Sequence, residues 1–236
     1  MQRYRKLLTF LLPLFLIMIS SPAGAWNDNT HLAIAKAAGY QRWYNAAAAD
    51  AAKIKAGAIE SNNHYVHNPP NTIVTPEMVL NQAERYNDSD DMSGHLYGAI
   101  IASVRDYDKG LKDKGPAKYV EYHLAYCSHY VGDLSMPLHN TLANAFNMKY
   151  HMMIDGIIED DVLDNIHKMK LYKITIDSEE NLASEIARIA NISIKLGYRL
   201  EAEERPLTKE EAYEQASHSA SLFKAILEYI KNKDMI

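Results

Sequence analysis

The sequence predicts an all-α fold, a single-domain helical bundle, from three observations. Apolar residues recur at a spacing of three to four residues, the period of an amphipathic helix, along seven segments of the chain. The alternation that marks a half-buried strand is confined to a weak stretch at 170–177, which predicts an extended connector. Signals for helix starts and stops flank several segments. The seven segments are 29–56, 76–86, 93–112, 117–134, 147–167, 180–200 and 208–232.

Local signals justify the boundaries of three of these segments. Thr75 precedes Pro76, which gives the second segment an N-cap followed by proline at the first helical position. The fourth segment ends before Pro137, because proline cannot continue a helix. Thr208 and Glu211 have the spacing of a capping box at the start of the last segment.

The composition is that of an ordinary globular domain. The chain has 236 residues, of which 47% are hydrophobic and 23% charged, which excludes a disordered chain and a multi-span membrane protein. A domain of this size buries roughly 70% of its unfolded surface, which is enough for a core. The one cysteine, Cys127, excludes an internal disulfide framework and a zinc site made of several thiolates. Ten histidines are many for this length and need an explanation.

The first 25 residues have the three parts of a secretory signal peptide. A basic cluster at 3–6 precedes an apolar run at 7–19, and small residues at 20–25 end in an A-x-A cleavage site. The apolar run is shorter than the about 20 residues that a membrane span requires. We therefore expect cleavage after Ala25, a mature domain of residues 26–236, and a secreted or periplasmic protein. The formal net charge of −5 becomes more negative on cleavage, which disfavours bulk electrostatic binding to nucleic acid or anionic membranes.

Histidines and carboxylates share helix faces at two places. His129 and Asp133 are four residues apart, and so are His151 and Asp155, so each pair lies on one face about one turn apart. His139 follows between the two pairs. Imidazole and carboxylate are zinc ligands, and helical pairs at this spacing can converge on one metal. The alternative for a single pair is a hydrogen bond on the helix surface, which is commoner.

The mature N-terminus offers a second, independent clue. Cleavage after Ala25 would make Trp26 the first residue, with His31 five positions later. The new α-amino group would titrate near about 8 and, once deprotonated, could chelate a metal together with its own carbonyl oxygen. The alternative is that Trp26 is only the first ordered residue of the core.

Together these residues resemble the zinc-dependent phospholipase C and single-strand nuclease superfamily. The specific part is the string His129-x-x-Gly-Asp133-x-x-x-Pro-x-His139, to which Trp26 and His31 add the terminal pair. The resemblance implies an all-α fold that holds up to three Zn²⁺ ions in a cleft. It implies that Trp26 and His31 bind one zinc, and that Asp133 bridges this zinc to a second, which His129 also binds. His139 would bind the third zinc together with His151 and Asp155.

The resemblance also requires a carboxylate and a histidine from the upstream segment 57–69 for the second zinc. His64 is the chosen imidazole, and His67 is the close competitor. Glu60 is the chosen carboxylate, although the family usually has Asp there, and Asp50 is the alternative. A shift of register by four residues would place Asn147, instead of His151, at the third zinc.

The implied function is hydrolysis of a phosphodiester. A zinc cluster lowers the pKa of bound water from about 15.7 to about 7, which supplies a hydroxide nucleophile near neutral pH. Asp133 would bridge two metals, and Glu60 would orient or deprotonate the water. We favour a phospholipase C-like enzyme, active as a monomer on a phospholipid head group or another phosphodiester with transient contact to a membrane surface.

Two alternatives remain at this point. The short spacing from Trp26 to His31 is similar to the nuclease branch, which would make a single-stranded nucleic acid the partner. The second alternative is a helical binding module that keeps a metal for structure only, with a closed ligand shell instead of the open position that catalysis needs.

Overall fold

Nine α-helices and no strand are present in residues 26–233, the part of the chain that the computed structural model describes. The helices are α1 (Asp28–Ala37), α2 (Ala48–Ala56), α3 (Ala58–Ser61), α4 (Pro76–Ala83), α5 (Leu96–Lys112), α6 (Ala117–Ser135), α7 (Ala145–Asp155), α8 (Glu179–Ala202) and α9 (Lys209–Lys233). The predicted all-α helical bundle is thereby confirmed, and residues 170–177 have no regular secondary structure. None of these nine helices has the length and hydropathy of a bilayer span. The predicted signal peptide, residues 1–25, lies outside the described residues.

Two of the seven predicted helical segments are interrupted. In 29–56, α1 ends at Ala37 and the chain turns through Gly39, whose φ of +84° is a conformation that L side chains rarely adopt. The chain resumes as α2 only at residue 48. In 147–167, α7 ends at Asp155, Gly156 follows, and the chain continues as turns. Each break occurs at or just before a glycine that the apolar spacing did not reveal.

Helix α6 lies at the centre of the bundle. It packs against α1, α2, α5, α8 and α9. Its second half is buried on nearly all sides and includes polar residues, among them Ser128, His129, Asp133 and Ser135. Burying a polar group costs free energy unless a partner compensates, so these side chains mark α6 as the helix on which a site is built.

Side-chain caps fix the helices that surround α6. The carboxylate of Glu159 accepts hydrogen bonds from the backbone N–H groups of Asn29 (2.9 Å) and Thr30 (3.1 Å), which caps the start of α1. At the start of α9, the N–H of Glu211 donates to the Thr208 hydroxyl (3.1 Å), and the N–H of Thr208 donates to the Glu211 carboxylate (3.0 Å). The predicted capping box is therefore present.

The end of α6 is also as predicted. The helix ends at Ser135, and a short 3-10 turn, Pro137–Asn140, follows at the proline. This turn is fully buried and carries His139 into the interior of the bundle, beside the last turn of α6. The proline thus positions a histidine that a continued helix would carry to a different face.

Candidate metal centre

Buried and partly buried histidine and aspartate side chains form three groups that could each hold a metal ion. Within each group the ligand atoms lie within 4.8 Å of one another. The groups are His31, His129 and Asp133; Asp50, His64 and His129; and His139, His151 and Asp155. They bring together residues from α1, α2, α6, α7 and two 3-10 turns, although these elements are far apart in sequence.

Asp133 lies at the junction of the three groups. One carboxylate oxygen lies 2.8 Å from His64 Nδ1 and 3.4 Å from His129 Nε2. The other oxygen lies 3.4 Å from His31 Nε2 and 3.5 Å from His139 Nδ1. Burial raises the pKa of Asp133 to about 8, against an opposing effect of His129. A carboxylate with both oxygens engaged in this way has the geometry of a bridging ligand.

The first group depends on close packing between α1 and α6. A Cβ atom at Gly132 would lie 2.4 Å from His31 Nδ1, so the ring of His31 occupies the space that a side chain on α6 would need. The rings of His31 and His129 stack with centroids 3.7 Å apart. Burial lowers the pKa of His31 and the pKa of His129 to about 4 each. Both imidazoles are therefore held neutral, as metal ligands must be.

Trp26 lies beside this group. Its side chain is fully buried, and its backbone is close enough to His31 to act on the pKa of that ring. The next residue, Asn27, directs its N–H toward the backbone carbonyl oxygen of Asp155 at 3.5 Å. The described chain thus begins next to ligands of both the first and the third group.

The second group contains Asp50 and His64. An oxygen of Asp50 lies 3.6 Å from His129 Nε2 and 3.9 Å from His64 Nδ1. The other nitrogen of His129, Nδ1, lies 2.9 Å from the backbone carbonyl oxygen of Ala46, which leaves Nε2 directed into the group. His67, the competitor of His64, is half-buried, stacks on Tyr65 and belongs to none of the groups.

Glu60, the carboxylate chosen from the sequence, is not a member of the second group, whereas the alternative carboxylate, Asp50, is. A carboxylate oxygen of Glu60 lies 3.2 Å from Nε2 of His64, the nitrogen on the opposite side of the ring from Asp133. The same oxygen accepts a hydrogen bond from the Tyr130 hydroxyl at 2.6 Å. Burial raises the pKa of Glu60 to about 7. Glu60 therefore contacts His64 at the ring nitrogen that does not face Asp133, and it is not a member of the group.

The third group has the residues that the spacing on α7 predicts. His139 Nε2 lies 3.2 Å from His151 Nε2, which in turn lies 3.3 Å from Asp155. The side-chain oxygen of Asn147 lies 2.7 Å from His151 Nδ1. This contact is made by the ring nitrogen that is not directed at His139, and it fixes the orientation of the ring. Of the two residues considered for the third zinc, His151 is a member of this group and Asn147 is not.

The donor atoms fit a metal such as zinc. Ring nitrogens of His31, His129 and His139 and carboxylate oxygens of Asp133 and Asp155 are buried and have no hydrogen-bond partner among the described residues. Burial raises the pKa of Asp155 well above its ordinary range, as it does for Asp133. Unpartnered buried polar atoms are rare in native proteins, and imidazole with carboxylate is a ligand set that zinc accepts.

Lys53 is a further residue at this site, and the sequence reasoning missed it. It lies one turn after Asp50 on α2, its ammonium group contacts the Asp50 carboxylate, and its side chain is only 13% exposed. Burial acts to raise the pKa of Asp50, but His129 and Lys53 act more strongly together and lower it to about 2. The Lys53 ammonium also acts to lower the pKa of His64 and of Asp133, so its positive charge affects more than one of the three groups. The spacing of three residues between Asp50 and Lys53 could have indicated this contact only if Asp50 had already been chosen as a site residue.

Comparison with known proteins gives no independent assignment. No protein-family model matches the chain, and no curated protein matches it. The all-helical fold and the three buried His/Asp groups are therefore the findings from which a function has to be argued.

Proposed function

We propose that this protein is an exported zinc-dependent phosphodiester hydrolase that resembles phospholipase C and acts on phospholipids. The observation that carries the proposal is the position of Asp133, whose two oxygens contact histidines from all three groups. Metals held by these groups would lie close enough to act on one substrate. The motif around His129 and His139 supports the same class of enzyme.

The side chains of the metal centre would have different roles in hydrolysis. Bound zinc would lower the pKa of a water molecule toward about 7 and polarise a phosphoryl oxygen. Asp133 would hold the groups together, and the remaining ligands would come from the terminal amine of Trp26 and from the side chains of His31, His64, His129, His139, His151, Asp50 and Asp155. Lys53 places a positive charge beside Asp50, where it would stabilise the negative charge that develops on phosphorus-bound oxygens.

Exposed apolar residues near the centre favour a lipid substrate. Met148, Met152 and Met153 are 73%, 71% and 54% exposed, although they lie on α7 beside the predicted ligand His151. Ile54 and Ile59 are also exposed, next to Lys53 and Glu60 respectively in the chain. Exposed apolar residues on one helix can form a contact surface, and the three methionines of α7 would suit acyl chains at a bilayer edge.

A nuclease is the second candidate, because the spacing from Trp26 to His31 is similar to the nuclease branch. Activity on bis-p-nitrophenyl phosphate tests the shared chemistry: a chelator should abolish it and added zinc should restore it. Faster turnover of phosphatidylcholine than of single-stranded DNA supports the phospholipase, and the reverse preference supports the nuclease. A folded, zinc-loaded protein that hydrolyses none of these substrates would leave a binding module with a structural metal.

Replacing Lys53 is expected to slow turnover without removing zinc. Lys53→Gln should lower kcat by about 100-fold, the order of loss for one buried group that stabilises transition-state charge. Lys55→Gln is the matched control, since Lys55 is exposed on the same helix. A Lys53→Gln variant with unchanged kcat, or with reduced zinc content, would contradict this role.

The terminal amine of Trp26 gives another prediction. A form of the protein that retains Ala25 should bind one zinc fewer per chain, because its first amino group is displaced from Trp26. Zinc analysis of the two forms, each checked by N-terminal sequencing, measures the difference. Equal zinc content would show that the amine of Trp26 is not a ligand.

A further inference from the structure

A buried carboxylate lies behind one histidine of the metal centre. Glu60 and His64 are four residues apart, on α3 and on the 3-10 turn that follows it. Nδ1 of His64 lies 2.8 Å from Asp133 and 3.9 Å from Asp50, whereas Nε2 lies 3.2 Å from Glu60. The two nitrogens of this ring therefore face different surroundings.

Glu60 is itself held in place by two neighbours. The Tyr130 hydroxyl donates to one carboxylate oxygen at 2.6 Å, and the Asn63 amide donates to the other at 3.4 Å. The Asn63 amide also donates to the side-chain oxygen of Asn87 at 2.9 Å. Glu60, Asn63 and Tyr130 are all buried, so the carboxylate has little freedom to turn toward the metal side of the ring.

We propose that Glu60 is a positioning residue that holds the proton of His64 on Nε2 and so reserves Nδ1 for the metal. In a neutral imidazole one ring nitrogen carries the hydrogen and the other has a free lone pair. A hydrogen-bond acceptor beside one nitrogen favours the tautomer with the hydrogen on that nitrogen. A carboxylate can only accept, so it favours the tautomer with hydrogen on Nε2. This inference rests on the proposed zinc centre and extends it to a residue outside the three groups.

Glu60→Gln tests the role, because the amide keeps the shape of the side chain but can also donate to Nε2 and stabilise the opposite tautomer. We expect the affinity for one zinc ion, measured by competition with a chromophoric chelator, to fall by about 10- to 100-fold, the usual effect of losing such a partner. Tyr130→Phe should cause a smaller loss. Tyr97→Phe is the matched control, because it removes a buried hydroxyl that bonds Asn140 and no ligand of the groups.

A structural role alone would not change the tautomer. In ¹⁵N-histidine-labelled, metal-free protein, where no metal fixes the tautomer, NMR should show His64 with hydrogen on Nε2 in the wild type and a mixture of tautomers in Glu60→Gln. Equal zinc affinity and an unchanged tautomer in a folded Glu60→Gln variant would overturn the inference and leave the zinc centre intact. A folded wild-type protein that takes up no zinc would instead reject the proposed function on which the inference rests.

Discussion

Asp133→Asn is expected to abolish hydrolysis and to lower zinc affinity by more than about 100-fold, since losing an outer partner of a ligand alone costs about 10- to 100-fold. The amide keeps the size of the side chain but loses the negative charge and replaces one acceptor oxygen with a donor group. That donor would face ring nitrogens that now lie within 3.5 Å of the carboxylate. The histidines concerned include members of all three groups.

The same variant should change stability in opposite directions with and without zinc. Burial raises the pKa of Asp133 to about 8, so at neutral pH the metal-free chain must take up a proton on this carboxyl as it folds. This uptake lowers the stability of the metal-free fold, because the same carboxyl is ionised in the unfolded chain. Metal-free Asp133→Asn should therefore melt no lower than the metal-free wild type, whereas zinc should stabilise the wild type much more than the variant.

Asp161→Asn is a suitable control, because Asp161 is an exposed carboxylate bonded to Lys209 and lies outside the three groups. It should retain activity and zinc. Full activity in Asp133→Asn, or equal stabilisation of variant and wild type by zinc, would contradict the bridging role of Asp133.

Gly132→Ala is expected to disrupt the first group by steric exclusion. The added Cβ would lie 2.4 Å from Nδ1 and 2.7 Å from Cε1 of His31. The ring is fully buried and stacked on His129, so it cannot move without losing that contact. Overpacking of this kind costs about 1–3 kcal/mol, which outweighs the gain of about 1 kcal/mol from replacing glycine by alanine in a helix. Zinc content and activity should fall together.

A double variant separates this steric effect from a general effect on α6. In a His31→Ala background the obstructing ring is absent, so Gly132→Ala should no longer destabilise the protein, and urea denaturation measures the coupling between the two sites. Zinc binding should stay impaired, because a ligand is missing. Equal destabilisation by Gly132→Ala in both backgrounds would argue against the close approach of His31.

The members of the three groups that the sequence indicates most clearly are those on continuous helices. His129 with Asp133 and His151 with Asp155 follow from a spacing of four residues, which fixes relative direction on a helix. His139 follows from the proline that ends α6. In these cases the local chain geometry determines where the side chain points, so no knowledge of tertiary packing is needed.

Asp50 and Lys53 could not be predicted in this way. They lie on α2, whose direction is set by the turn through Gly39 and by packing on α6, and the alanine-rich stretch before α2 shows no contrast between polar and apolar faces. Glu60 has the same spacing to His64 as His129 has to Asp133 and His151 has to Asp155. The Glu60 carboxylate nevertheless contacts Nε2 of His64, the nitrogen that does not face Asp133. The reason is that a 3-10 turn follows α3 and changes the relative direction of the two side chains.

Zinc content per chain, measured on folded protein after loading and removal of excess metal, is the most direct test of the account. Three groups of buried ligands predict up to three zinc ions in the wild type, with fewer in His129→Ala and a lower melting temperature in that variant. A folded wild-type chain that retains no zinc, or a His129→Ala variant with wild-type zinc content and activity, would contradict the proposed centre.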